Sequence, residues 1–327
     1  MFGLEELKDE IEITQTKVEC PVKGCSEKVE RQRKTFKRED RFKCPEHRIY
    51  ISPSTFEYQS EEDNLLWKQK ADMDLLGKIR RVKRESRMAR DNSEDAVTWN
   101  VFRFLERNTM VSGLFAKMVN SSVKNPEVIY WSYYQKQNGS WSELNKARQE
   151  FGERLKRGSE PDIIIKCDNT VFFIEAKLTA GNETVPSGTS TTKKYETGGD
   201  NWYSKVFRSD YTTIPRREKK YELLRFWLLG TWMAKQMDLD FYLINLVLFE
   251  REVDIEAAFG QYIKQNQRRK FLRVAWENIC QYISHASLSK DKDIIMRFFR
   301  NKSIGYDTNA QLQRAFSVSH LVTSNNR

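Results

Sequence analysis

The sequence predicts a mixed α/β fold, and three observations support this. From residue 94 onwards the patterns of a helix, a strand, a short helix, two strands, a helix and a strand follow one another. Within this order, two apolar runs enclose an Asp-Asn pair, as in a tight β-hairpin. Residues 241–249 form the most apolar of the predicted strands, which is typical of a central strand buried on both faces.

The composition indicates a globular protein with a polyanionic partner. The chain has 327 residues, of which 31% are charged and 12% aromatic, with a net charge of +10. No apolar stretch approaches the roughly 18–20 residues that span a bilayer. Because the N-terminus also lacks the basic-then-apolar layout of a signal peptide, we expect a cytoplasmic protein. Charge alone does not separate nucleic acid from an acidic membrane surface as the partner.

The first 58 residues predict a small metal-binding module. Cys20 and Cys25 form a C-x4-C pair, and Cys44 and His47 form a C-x2-H pair eighteen residues later. Two close ligand pairs separated by a short excursion are typical of a tetrahedral structural zinc site, and the pattern resembles a zinc ribbon. Three unrelated thiols and a surface histidine are the alternative. Five cysteines are too few for a disulfide framework.

Residues 59–90 predict a connecting helix whose second half is strongly basic. Apolar residues recur at helical spacing from residue 61 to residue 90. The basic side chains could lie along phosphates, although such runs are usually solvated helix faces. The candidate nucleic-acid-binding residues are Lys78, Arg80, Arg81, Lys83, Arg84 and Arg87.

Residues 91–327 predict the main domain, with a core over about 91–250 and a C-terminal helical extension. Ser93 is the predicted N-cap of its first helix, with Glu94 in the first turn. The other predicted elements are a strand at 128–134, a helix at 142–151, the hairpin, a helix at 218–237, a strand at 241–249 and helices at 271–283 and 294–299.

The hairpin carries the candidate catalytic residues. If Asp168 and Asn169 form the turn, residues whose numbers add up to 337 face each other, so Asp162 lies opposite Glu175. Lys177 shares their face because strand side chains alternate. Opposed carboxylates repel, so we expect a positive charge between them, and a hard divalent cation with oxygen ligands suits the position. A surface hairpin with exposed ion pairs is the alternative.

Pro161-Asp162 and Glu175-Ala176-Lys177 resemble the sequence signature of the PD-(D/E)xK nuclease superfamily, the restriction-endonuclease-like fold. The resemblance covers roughly residues 90–250 and implies an αβββαβ core with a mixed four-stranded sheet. It implies Mg2+ held by Asp162, Glu175 and the Ala176 carbonyl, with Lys177 beside the attacking water. An acid on the first core helix completes the site in many members, and Glu94 is the candidate here, with the neighbouring Asp95 as the alternative. Glu160, on the hairpin, is a further candidate ligand.

The resemblance thus implies a magnesium-dependent endonuclease that hydrolyses DNA in restriction, defence or repair. Two alternatives stay open: a zinc-containing nucleic-acid-binding protein whose nuclease fold is not catalytic, and a nuclease directed at RNA. DNA is the expected partner, whereas the oligomeric state, a homodimer included, stays open.

Overall fold

The computed structural model describes residues 6–33, 35–83, 85–155, 158–187, 193–286 and 289–318. Its helices are α1 Lys70–Arg80, α2 Glu94–Arg107, α3 Val111–Val119, α4 Ser142–Glu150, α5 Lys193–Val206, α6 Tyr221–Met237, α7 Ile255–Gly260, α8 Trp276–Ala286 and α9 Lys292–Asn301. Its strands are β1 Lys17–Glu19, β2 Lys28–Glu30, β3 Tyr50–Ile51, β4 Phe56–Glu57, β5 Glu127–Tyr130, β6 Tyr133–Tyr134, β7 Gly139–Ser140, β8 Ile163–Lys166, β9 Thr170–Ala176, β10 Asp240–Val247, β11 Arg269–Ala275, β12 Ser303–Tyr306 and β13 Leu312–Arg314. None of the helices in the described ranges is long and apolar enough to cross a lipid bilayer.

The fold is a mixed α/β structure, as predicted, but its main sheet has seven strands and not four. The strands lie in the order β11-β10-β9-β8-β5-β6-β7. Strands β9, β10 and β11 run parallel, whereas β8 pairs antiparallel with both β9 and β5. The four predicted strands therefore form the middle of a wider sheet.

The predicted hairpin register is confirmed. Ile163 pairs with Ile174 and Lys166 pairs with Val171, so the numbers of each pair add up to 337. The Cys167 N–H donates to the Thr170 carbonyl at 2.8 Å, which closes the turn around Asp168 and Asn169.

The helix predicted at residues 271–283 is wrong over its first part. Residues Arg269–Ala275 form the edge strand β11, which pairs in parallel with β10, and α8 begins only at Trp276. The apolar residues of β11 are followed without a break by those of α8, so the hydrophobic pattern does not mark where the strand ends and the helix begins. This strand extends the sheet beyond the strand that we predicted to be its last.

The chain forms two compact units, and each is made of several chain segments, whereas the predicted domains are continuous. The first unit comprises residues 1–70, 87–108 and 277–327, and the second comprises residues 71–86 and 109–276. The second unit contains the seven-stranded sheet.

The helix predicted for residues 59–90 is much shorter in the structure. A 3₁₀ turn covers Glu61–Asn64, and α1 covers only Lys70–Arg80. Arg81 and Val82 follow in a turn. The predicted basic residues therefore do not share one helical face.

In the second unit, α6 packs closely against the sheet. Gly230 allows this approach, because a Cβ atom there would lie 2.2 Å from the ring of Phe241 on β10. Trp227, one turn earlier on the helix, also packs edge-on against Phe241. The contact fixes the position of α6, whose first turn begins at Tyr221.

In the first unit, the cysteine-rich segment shares its core with the C-terminal hairpin β12–β13. Val18, Ile49 and Phe56 belong to one buried cluster that also contains Tyr306, with Leu312 packed against it. The Tyr306 hydroxyl donates to the Lys8 carbonyl at 2.8 Å. The predicted zinc module therefore relies on residues near the end of the chain for part of its core.

One ion-pair cluster of the sheet makes a testable contribution to stability. Glu127 on β5 lies opposite Lys166 on β8, and its carboxylate contacts the Lys166 and Lys136 amines at 3.0 and 2.7 Å. Burial raises the pKa of Glu127, but hydrogen bonds from Lys136, Tyr134 and Lys166 lower it more strongly, to about 2. Its folded pKa therefore lies below the unfolded value of 4.5.

We expect Glu127→Gln to lower the free energy of unfolding at pH 7 by roughly 1–2 kcal/mol, because a depressed carboxyl pKa stabilises the fold above the unfolded pKa. This difference from the wild type should shrink as the pH falls from 4.5 towards about 2. Urea unfolding of both proteins across this range measures it, with the exposed Glu250→Gln as control. A difference that stays constant with pH would show that the carboxylate charge does not contribute.

Candidate active site and metal centre

Asp162, Glu175 and Lys177, three of the four predicted catalytic residues, come together at the open end of the β8–β9 hairpin. Asp162 directly precedes β8, and Glu175 lies near the end of β9. Continuing the ladder by one pair from Ile163 and Ile174 places Asp162 opposite Glu175. The Glu175 side chain is only 4% exposed, which is unusual for a carboxylate. The site therefore lies below the protein surface.

The Asp162 carboxylate is held in one orientation by two donors. One oxygen accepts the Ala176 N–H at 2.8 Å, and the other accepts the Trp131 indole N–H at 3.1 Å. Trp131 and Ser132 form the turn between β5 and β6 with positive φ angles of 43° and 74°. Such angles are uncommon outside glycine. No signal in the sequence pointed to Trp131.

A buried network fixes the segment that leads into Asp162. The Ser159 N–H and hydroxyl donate to the Glu153 carboxylate at 2.5 and 2.6 Å. Arg148, which is 3% exposed, donates from Nε to the Ser159 carbonyl at 2.9 Å. Because charged side chains are rarely buried unless paired, this network holds the approach to the site rigidly. Glu160 is the next residue in the chain after Ser159.

Lys177 joins Glu175 to an acid that sequence reasoning missed. Its amine donates to Glu175 and, at 3.0 Å, to Glu222. Glu222 lies in the first turn of α6, and its backbone N–H donates a hydrogen bond to the Thr184 hydroxyl oxygen at 2.8 Å. An acid in a first helical turn is common for reasons of helix stability alone, so nothing local distinguished Glu222.

The cluster carries more negative than positive charge. Burial raises the pKa of Glu175 well above its usual range, and the Glu222 and Asp162 charges raise it further, although Lys177 opposes them. Burial acts to lower the pKa of Lys177, but the surrounding carboxylates outweigh it and raise that pKa. Lys177 in turn helps to lower the pKa of Glu222 despite burial. The amine is therefore protonated at neutral pH.

A row of polar side chains continues from Glu175 across the sheet. Asn245 on β10 is the register partner of Glu175, and Arg273 on β11 is the partner of Asn245. Asn245 is fully buried and exchanges two side-chain hydrogen bonds with Asn182, at 2.8 and 3.1 Å. These bonds anchor the loop after Lys177 to the sheet at the residue that pairs with Glu175.

The structure does not test the roles of the remaining predicted site residues. Glu94 lies in the first turn of α2, whose N-cap Ser93 accepts the Ala96 N–H at 3.1 Å as predicted. It belongs to the first compact unit, whereas Asp162, Glu175 and Lys177 belong to the second. Ala176 is buried, and its N–H binds Asp162. The roles of Glu94, Glu160 and the Ala176 carbonyl stay predictions.

The predicted basic residues occupy different settings. Lys78 and Arg81 are exposed, and Arg80 ends α1. The Lys83 amine lies 4.4 Å from the ring centroid of Trp131, the residue that donates to Asp162. Arg87 belongs to the first unit.

Arg84 lies outside the described residues. Lys83 is therefore linked to the hairpin site through a shared neighbour, Trp131.

The predicted zinc ligands Cys20, Cys25, Cys44 and His47 do converge. Their ligand atoms all lie within 4.8 Å of one another, so the group could hold a metal ion such as zinc. Within the described part of the chain, it is the one set of three or more Cys, His, Asp or Glu side chains gathered this tightly. At the hairpin site, Glu175 and Glu222 instead contact the Lys177 amine.

Two tight turns bring the zinc-type ligands together. Gly24 has a φ of 81° just before Cys25, in the conformation that glycine adopts most readily. In the second turn the Arg48 N–H donates to the Cys44 carbonyl at 2.8 Å. Burial raises the pKa of the Cys25 thiol to about 11, so binding of a metal must displace its proton.

Comparisons with known proteins add no relative: no protein-family model, curated protein or solved structure matches the chain.

The charge excess of the hairpin site predicts an unusual stability effect. We expect Glu175→Gln to raise the free energy of unfolding by roughly 1 kcal/mol at neutral pH without added divalent metal, because a carboxyl whose pKa is raised by folding costs stability above its unfolded pKa and an amide does not. Lys177→Met should instead destabilise the protein. Denaturant unfolding, with exposed Glu250→Gln as control, measures both. A clear loss of stability in Glu175→Gln would indicate a structural ion-pair cluster.

Proposed function

We propose that the protein is a metal-dependent endonuclease that hydrolyses DNA phosphodiester bonds, and that it belongs to the PD-(D/E)xK superfamily. The observation that carries the proposal is the convergence of Asp162, Glu175 and Lys177 at the end of a hairpin with the expected register. The mixed sheet around the hairpin and the net charge of +10 agree with it.

The donor set fits a divalent cation such as Mg2+. Two carboxylates contact the Lys177 ammonium group and the Asp162 charge acts on it as well, so the negative charges outnumber the positive one and a cation would be attracted. Carboxylate oxygens are the ligands that Mg2+ prefers, and it usually takes only one or two of them. Asp162 and Glu175 would hold the ion, and the superfamily resemblance adds the Ala176 carbonyl. When bound, the ion would polarise a phosphoryl oxygen and lower the pKa of a coordinated water.

Lys177 would act through its charge. Its raised pKa keeps the amine protonated at neutral pH, so it is a poor general base. As an ammonium group it can donate a hydrogen bond to the attacking water and stabilise the negative charge that grows on the phosphoryl oxygens. Glu222 would orient it, because the Lys177–Glu222 contact fixes the amine from the side of α6.

Two alternative functions make different predictions. A zinc-containing nucleic-acid-binding protein without catalysis would bind DNA and leave it intact. An RNA-directed nuclease would cleave RNA faster than DNA under the same conditions. The burial of Glu175 beside the partly buried Asp162 and Lys177 favours catalysis, since a protein that only binds DNA gains nothing from a repulsive cluster of carboxylates.

The Cys20, Cys25, Cys44 and His47 group would hold a structural zinc ion. Three thiolates and one imidazole form a closed tetrahedral shell without an open position, so this ion would take no part in hydrolysis.

We expect Asp162→Ala and Glu175→Ala to reduce Mg2+-dependent DNA cleavage at least about a hundredfold, because each removes a metal ligand. Lys177→Ala should reduce it to a similar extent through lost charge stabilisation. Single-turnover cleavage of a labelled DNA measures the rates, and fluorescence anisotropy without divalent metal checks that DNA binding persists.

The matched controls are Glu250→Ala and Lys235→Ala, which remove exposed charges of the same unit. Both should cleave at the wild-type rate. If the three site variants also cleave at that rate, the active site is elsewhere or absent.

The zinc proposal predicts one zinc ion per chain by elemental analysis, and Cys44→Ser should lose it. Because metal binding is coupled to folding, removing the ion should speed hydrogen exchange in residues 18–51 and in the hairpin β12–β13, which shares their core. Exchange in β8, β9 and β10 should change little. Freely titratable Cys20, Cys25 and Cys44 thiols in freshly purified protein would argue against a zinc site.

A further inference from the structure

The first unit contains a concave basic groove that the proposed active site does not use. Its volume is about 960 Å³, and its lining includes Arg31, Arg33, Phe36 and Arg90, together with residues 52–55. Among the described residues that line it, three are arginines and none is acidic. A groove of one charge sign concentrates ligands of the opposite sign.

The arginines of the groove are oriented by the protein, and two of them keep their full charge. Arg31 donates to the Thr14 carbonyl at 2.9 Å, and Arg33 approaches the Gln15 carbonyl at 3.5 Å. Carbonyl oxygens fix a guanidinium group without neutralising it. Arg90 is different, because it pairs with the nearly buried Glu57 at 2.7 Å. Arg31 and Arg33 therefore dominate the field of the groove.

The groove also offers an aromatic surface and a rigid polar wall. Phe36 is partly buried and lines the groove, with the Arg90 guanidinium 5.9 Å from its ring centroid. Gln32 is 7% exposed, and its amide is fixed by bonds to the Ile51 carbonyl and the Lys37 N–H. Sites that bind single-stranded nucleic acid usually combine basic side chains, which contact the phosphates, with aromatic rings, on which the bases stack.

We propose that this groove binds a single-stranded segment of nucleic acid, with Arg31 and Arg33 on successive phosphates and Phe36 against an unstacked base. A duplex keeps its bases stacked inside the helix, so it could use the arginines but not Phe36. The inference shares the nucleic-acid ligand of the proposed function but none of its catalytic residues. It makes the first unit a second point of attachment, separate from the site of hydrolysis.

The test measures binding of fluorescein-labelled (dT)12 and of a duplex of equal length, by anisotropy at several salt concentrations. The protein is the full chain with Asp162→Ala and without added Mg2+, so that cleavage cannot intervene. The variants are Arg31→Glu combined with Arg33→Glu, and Phe36→Ala alone. Arg300→Glu, which reverses an exposed charge of the same unit outside the groove, is the matched control.

We expect the double variant to bind (dT)12 at least tenfold more weakly and to reduce the slope of log K against log salt by about 1.4, which is the value for two single-strand phosphates. Phe36→Ala should weaken binding of (dT)12 at least about fivefold, leave the salt slope unchanged and affect the duplex less. Arg300→Glu should match the parent protein. Zinc content and circular dichroism verify that each variant is folded.

Wild-type affinity of the double variant for (dT)12 would overturn the proposal. The proposal would also be overturned if Phe36→Ala lost the same affinity for the single strand and for the duplex. A third contradicting result is an acidic peptide that competes at the same concentration as unlabelled (dT)12. Because binding is measured in a chain that lacks Asp162, it can succeed even if the wild-type protein cleaves no DNA. Failure of the groove and failure of the nuclease are thus separate results.

Discussion

The pairing of β8 with β9 is the constraint on which the rest of the site depends. β9 lies between β8 and β10, and all of its residues are buried. A shift of one residue in the register would turn Glu175 to the opposite face of the sheet and expose apolar side chains in its place. The ladder that builds the core therefore also fixes where the carboxylates lie. The register continues into β10 and β11, which places Asn245 and Arg273 in the same row as Glu175.

The same arrangement concentrates charge at a cost in stability. Glu175 and Glu222 share the Lys177 amine beside Asp162, and the raised pKa of Glu175 reflects its burial together with the repulsion of these carboxylates. A cluster kept only for stability would balance its charges or replace them by apolar groups, which is often as stable. Strained turns and repelling charges are typical of functional sites, and here the turn at Trp131 and Ser132 lies directly beside Asp162. These features together explain why we interpret the cluster as an active site.

The sequence predicted what depends on short-range pattern and missed what depends on distant contacts. The hairpin register and the Cys20/Cys25/Cys44/His47 group both depend on residues that are close in the chain. The strands pair in the predicted register, and the four ligand residues come together as predicted. Glu222 was missed because only the packing of α6 brings it to Lys177, 45 residues away in the chain. Strand β11 was taken for the start of a helix because its apolar residues continue without a break into α8. The basic run was predicted to share one helix, but α1 ends at Arg80.

The most direct test of the account is whether the wild-type protein cuts DNA when a divalent metal is supplied. Purified, zinc-loaded protein would be dialysed free of Mg2+ and incubated with supercoiled plasmid DNA, with and without Mg2+ added back. The account predicts conversion to nicked or linear DNA that requires Mg2+ and increases with enzyme concentration. Plasmid that stays supercoiled across Mg2+ and Mn2+ concentrations, while the protein binds it, would contradict the assignment of this cluster as a nuclease site.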